Sequence, residues 1–141
     1  MRISGILRTV VVDGYERVLE VALHDSATRY WVSALEPEQF VEFGGLCPTL
    51  REGQSVELSL ELRYVTKTEQ VEAGSALGLL QPIPRSPHCT VVAQVVRSTE
   101  PDRFVCSFGV GTPAIRVECE GHHNLSHGQV VAFTGELARD A

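Results

Sequence analysis

The sequence of 141 residues has no long apolar run, no Cys-x-x-Cys pair and a single lysine, Lys67. Runs such as Val10 to Val12 are far shorter than the roughly 20 apolar residues that a membrane-spanning helix needs. The first residues run directly into a strand-like pattern and contain no apolar leader core, so we expect no secretory signal. The sequence therefore predicts a cytoplasmic protein.

The four cysteines lie far apart in the sequence, at Cys47, Cys89, Cys106 and Cys119. Three of them stand in or beside apolar stretches, which is typical of buried thiols that remain reduced. We therefore predict free cysteines rather than a disulfide framework.

Two groupings contain the residue types that metal binding or catalysis needs. Cys119 is followed by His122, His123 and His127, and thiolate with imidazole suits zinc, but a strand cysteine before a polar turn is ordinary. Residues 24–26 read His-Asp-Ser, yet the members of a hydrolytic triad come from separated segments of a chain. We therefore expect no enzyme activity, no cofactor and no bound metal.

One stretch dominates the pattern of the chain. From Gly53 to Tyr64 apolar and polar residues alternate, which predicts a half-buried β-strand. Its inward face would consist of Val56, Leu58, Leu60, Leu62 and Tyr64.

The same stretch recurs 75 positions later. Leu50-x-x-Gly53-Gln54 returns as Leu125-x-x-Gly128-Gln129, and six of the thirteen positions from 50 to 62 are identical to their counterparts. The glycine suits a turn that needs a positive φ angle before a strand. The repeat predicts two related units.

Further strands are predicted by alternation and by turn residues, above all by Asp13-Gly14 between two apolar runs. They cover residues 3–12, 15–23, 29–35, 89–96, 104–110, 114–119 and 129–137, with a turn at 111–113. The predicted fold class is all-β, built from two related antiparallel units, each an OB-like small barrel or a meander. Short helices are predicted near 37–43 and 68–80. The likeness to the OB fold is one of element order. The predicted division is a first unit at 1–65, with its long strand at 54–65, a linker at 66–88 and a second unit at 89–141.

The net charge of −6 is uneven, because residues 1–75 carry seven basic and twelve acidic side chains. The glutamates of this half are Glu16, Glu20, Glu36, Glu38, Glu42, Glu52, Glu57, Glu61, Glu69 and Glu72. An acidic surface beside Trp and Tyr suits a protein that captures a basic protein partner, as bacterial inhibitors and toxin-immunity proteins do. The residues predicted to bind such a partner are Glu16, Glu20, Tyr30, Trp31, Glu57 and Glu61.

The alternative is an OB-type protein that binds single-stranded nucleic acid. Stacking aromatics and cations on adjacent strands would form its binding face, which is predicted to consist of Arg8, Arg17, Tyr30 and Arg63. The net charge disfavours it, since phosphate binding normally leaves a basic footprint.

Overall fold

The computed structural model describes residues 1–109 and 114–140, which form nine strands of one sheet and contain no helix. The strands are β1 (Arg2–Asp13), β2 (Glu16–Leu23), β3 (Arg29–Leu35), β4 (Ser55–Gln70), β5 (Gly78–Leu80), β6 (His88–Glu100), β7 (Arg103–Ser107), β8 (Ala114–Cys119) and β9 (Val130–Arg139). The all-β prediction is confirmed. No helix among these residues could cross a membrane.

The strand pairings close the sheet into two rings. Its order is β1-β2-β3-β9-β4-β8-β7-β6-β5, and the extra pairings β1–β4 and β9–β6 complete the rings. The first ring contains β1, β2, β3, β9 and β4, and the second contains β6, β7, β8, β4 and β9. Neighbours are antiparallel except at β3–β9 and β4–β8. Both rings therefore depend on the same two long strands, β4 and β9.

Strand β4 changes its inward face where it passes from one ring to the other. Leu58, Leu60 and Leu62 are buried as the alternation predicts, but Tyr64 is 54% exposed and Val65 is buried instead. Tyr64 has a φ of 53°, and the register with β9 shifts at this point, as in a β-bulge. The prediction for Tyr64 was wrong because a bulge reverses the alternation.

The sequence repeat corresponds to one turn used twice. Gly53 and Gly128 have φ values of 87° and 90°. Beside them, Oε1 of Gln54 and of Gln129 accepts the backbone N–H three residues earlier, at 3.0 and 2.7 Å. The turn feeds the shared strands β4 and β9, so the repeat marks the elements that close both rings.

The predicted helices at 37–43 and 68–80 are absent. At the first, Val41 forms a β-bridge with Gly14, so the backbone is held extended against the β1–β2 hairpin. At the second, β4 runs on to Gln70, and residues 78–80 pair with β6 as the edge strand β5. Backbone pairing with other segments outcompeted helix formation in both places. The turn predicted at 111–113 lies outside the described residues.

Candidate functional site

A buried arginine holds the connection between β3 and β4, residues 36–54. Arg17 is fully buried on β2. Its Nη1 donates to the Gly14 and Glu16 carbonyl oxygens at 2.9 and 3.1 Å, and its Nη2 donates to the Gln39 carbonyl oxygen at 2.8 Å. Its Nε donates to Cys47 Sγ at 3.3 Å. One guanidinium therefore fixes two points of the connection to the β1–β2 hairpin.

Cys47 differs electrostatically from the other cysteines. Burial raises the pKa of its thiol, but hydrogen bonds from Arg17, Thr49 and Leu50 outweigh burial and leave the pKa lowered. The thiol lines a pocket of about 330 Å³ beside Leu46. All four cysteines are free and buried, as predicted.

The connection and the hairpin tip expose a group of large apolar side chains. Tyr15 is 49% exposed, Phe40 64%, Phe43 77% and Leu46 91%. The rings of Tyr15 and Phe40 meet edge to face, with centroids 5.3 Å apart. We call these four residues the apolar lobe. Tyr15 and Phe40 are in contact, and exposed apolar side chains that lie together mark interaction sites more often than scattered ones do.

Acidic residues flank the lobe residues in the sequence. Asp13, Glu16, Glu38 and Glu42 are exposed and form no ion pair within 1–109 and 114–140. They lie at one end of the first ring because the Gly14 bridge holds the connection against the hairpin tip. We call these four residues the acidic rim.

A cleft of about 520 Å³ opens beside the rim, at the seam between β3 and β9. The two strands meet there at a single parallel bridge, Ser33 to Ala138. Both bridge residues line the cleft, together with the carboxylates Glu16 and Glu136. The seam remains open because one bridge brings the strands together at one point only.

The arginines of the cleft already have anionic partners. Arg63 pairs with Glu61, and Arg139 Nη2 lies 3.0 Å from Glu36 Oε1 while also donating to the Leu35 carbonyl oxygen at 2.7 Å. Neither Glu16 nor Glu136 forms an ion pair with a residue that the structure describes. The unneutralised charge of the cleft is therefore negative.

The predicted binding glutamates fall in different environments. Glu16 belongs to the rim and the cleft, whereas Glu20 accepts from Thr9 at 2.9 Å and lies 3.5 Å from Arg29. Glu61 is only 8% exposed and is paired as described above. Glu57 is exposed on β4, with Arg2 at 3.8 Å. Of these four carboxylates only Glu16 has no cationic partner among the described residues.

The two predicted aromatics lie on β3, away from the lobe. Tyr30 is half-buried, and burial raises its pKa. Trp31 has Arg85 above its ring at 5.9 Å, and its backbone N–H and carbonyl oxygen bond to the Gln81 amide at 2.7 and 2.6 Å. Gln81 thus acts in place of a neighbouring strand at this edge.

The predicted nucleic-acid face does not assemble as expected. Arg17 is buried and bonded to carbonyl oxygens, so it cannot reach a phosphate. Arg63 is half-buried against Glu61, and of the three arginines only Arg8 is exposed. The face loses Arg17 because the alternation of β2 places this side chain on the inward side of the strand.

The Cys-His stretch is not gathered around a common point. His123 Nδ1 lies 3.2 Å from Thr68 Oγ1, while His122 and His127 are exposed. Burial raises the pKa of Cys119 to about 11, which opposes formation of a thiolate ligand. Within the described ranges no group of three or more His, Cys, Asp or Glu side chains could hold a metal ion.

The lobe was missed because Phe40 and Phe43 were interpreted as the apolar face of a helix. The available signal was the flanking Pro37, Gly44 and Gly45, which leave little room for helix and indicate apolar residues on a loop.

Comparison with known proteins found no family model, no curated protein and no solved structure that matches the chain.

Proposed function

We propose that this chain is a non-enzymatic binding protein that captures a basic protein partner against the acidic end of its first ring, as an inhibitor or toxin-immunity protein would. The observation that carries the proposal is the acidic rim, whose four exposed carboxylates pair with no described cation. Like charges in one cluster repel each other, and a basic partner would relieve this repulsion and associate faster. Four free thiols support a cytoplasmic location.

The finer part of the proposal is that each ring is an OB-like barrel. Each contains five strands, as an OB barrel does, and the repeated Gly-Gln turn leads into each of the two strands that the rings share, β4 and β9. An OB-like fold would not by itself choose a ligand, because one fold serves many functions.

The second candidate is binding of single-stranded nucleic acid, which the five-stranded rings favour because OB folds often bind oligonucleotides. It ranks second because burial removes Arg17 and the ion pair with Glu61 occupies Arg63. Arg8 and Tyr30 alone supply little charge for a phosphate backbone.

The test is capture of partners by the full chain from its source cell, with and without nuclease, followed by binding kinetics. We expect a basic protein in near-stoichiometric amount whether or not nuclease is added. The double variant Glu38→Lys/Glu42→Lys should slow its association by about tenfold at low salt. The control Glu69→Lys/Glu72→Lys changes the net charge equally at exposed sites away from the rim, and should slow it much less. A nuclease-sensitive complex without a stoichiometric protein would contradict the proposal.

A further inference from the structure

The apolar lobe and the cleft adjoin each other along one side of the first ring. Glu16 belongs to the acidic rim and also lines the cleft. Leu35, 47% exposed, lines the cleft at the end of β3, and the β3–β4 connection begins at the next residue. The cleft therefore borders the lobe at Glu16, the residue that follows Tyr15.

We propose that lobe and cleft form one docking surface for a basic and apolar segment of a protein partner. The lobe takes the apolar side chains of that segment, and the cleft takes one arginine or lysine side chain between Glu16 and Glu136. The inference rests on the proposed function and extends it by naming the contact surface and the chemistry of the segment.

The lobe has the properties of an interface centre. Its three aromatic rings are rigid, large and exposed, and such side chains dominate binding energy when a partner covers them. Arg17 fixes the connection at Gln39 and Cys47, on either side of Phe40 and Phe43. A surface fixed in advance loses less conformational entropy on binding than a mobile loop does.

Charge identifies the occupant. The rim and the cleft present Asp13, Glu16, Glu38, Glu42 and Glu136, none of which pairs with a cation in the described part of the chain. Both arginines of the cleft are already neutralised by glutamates. An acidic or phosphate-bearing ligand would meet repulsion here, whereas a guanidinium or ammonium group would find free carboxylates.

A second copy of this chain fits the surface poorly. In a symmetric dimer the same patch of both copies forms the interface, so the interface would contain both sets of rim carboxylates. Like charges placed opposite each other across an interface oppose association. A basic partner has no such penalty, and for this reason we name a different protein as the occupant.

The experiment selects random dodecapeptides displayed on phage against the full chain, then measures binding of the enriched synthetic peptides by calorimetry. We expect enriched peptides to combine arginine or lysine with leucine or aromatic residues. The lobe variant Phe43→Ser/Leu46→Ser should weaken their binding by at least about tenfold. The cleft variant Glu16→Gln/Glu136→Gln should weaken it and flatten its salt dependence. Leu80→Ser, an exposed leucine on β5, is the matched control and should leave binding unchanged.

Each of the remaining outcomes would overturn the docking surface, the proposed function or both. Basic peptides that bind both variants as tightly as the parent chain would overturn the docking surface and leave the proposed function standing. Enrichment of acidic peptides, or of none, together with binding of oligo(dT), would overturn both. A dimer in sedimentation that Phe43→Ser/Leu46→Ser dissociates would assign the lobe to self-association instead. Circular dichroism of both variants checks the fold, and because all the substituted lobe side chains are exposed, we expect it to be retained.

Discussion

Replacing Arg17 with methionine should destabilise the protein and release the β3–β4 connection. The variant keeps an apolar stem on β2 but loses the guanidinium, which makes three hydrogen bonds to carbonyl oxygens and one to Cys47 Sγ. Hydrogen bonds to a charged group contribute about 1.5–3 kcal/mol each. The substitution leaves three carbonyl oxygens without this donor, and a buried acceptor left unsatisfied costs about 1–3 kcal/mol. We expect a total loss of about 3 kcal/mol, the lower end, because carbonyl oxygens near the surface can rehydrate.

Urea unfolding followed by the fluorescence of the single tryptophan, Trp31, measures this loss. Hydrogen exchange should show faster exchange at the Val41 amide, which bonds to the Gly14 carbonyl oxygen at 3.0 Å, before the rest of the sheet changes. The control is Arg8→Met, which removes an exposed arginine and should change stability by less than about 0.5 kcal/mol. If Arg17→Met cost no more than this control, the argument that Arg17 fixes the connection would be wrong.

Three further predictions concern thiols and the crossing of the shared strands. Burial raises the pKa of Cys47, but hydrogen bonding outweighs burial and lowers it, so iodoacetamide should modify Cys47 first in the native protein. Mass spectrometry that finds another cysteine modified first would contradict this prediction. Burial raises the pKa of Cys89 and of Cys106 from 9.0 to about 12, so the folded state retains protons that the unfolded state loses. The contribution of these thiols to the free energy of unfolding should therefore be complete below pH 9 and fall as the pH rises towards 12. Alanine at either position should flatten this fall in urea titrations. A Cβ at Gly135 would lie 2.5 Å from a backbone oxygen of β4, so Gly135→Ala should lower the free energy of unfolding by about 1–3 kcal/mol in urea titrations. Gly74→Ala is the control and should lower it little, because the space around Gly74 is open.

The strands were accessible from sequence because alternation and turn residues act locally. β3 was predicted at its observed bounds, Arg29–Leu35. A hairpin joins β1 and β2 as predicted, but its two loop residues are Gly14 and Tyr15, because Asp13 pairs with Glu16 as the last residue of β1. The repeat of the Gly-Gln turn was also visible, and it marks the start of both shared strands. These features need only neighbouring residues to form, so a single sequence contains them.

The candidate surface depended on contacts between distant residues. Whether residues 37–43 form a helix was decided by a bridge from Val41 to Gly14 and a bond from Arg17, neither of which the local pattern contains. Arg17, which was predicted to contact phosphate, is buried and bonded to this connection, and Phe40 and Phe43 of the connection are exposed.

Sequence by itself determined the all-β class, the strand alternation, the free thiols and the excess of acid in the first half. Only the tertiary structure decided that β4 and β9 serve both rings, that Tyr64 leaves the core, and which carboxylates lack a cation. The reason is physical: alternation states which residues share a face of a strand, but ring closure and ion pairing depend on which strands become neighbours. In this chain those neighbours are as far apart in sequence as Ser33 and Ala138.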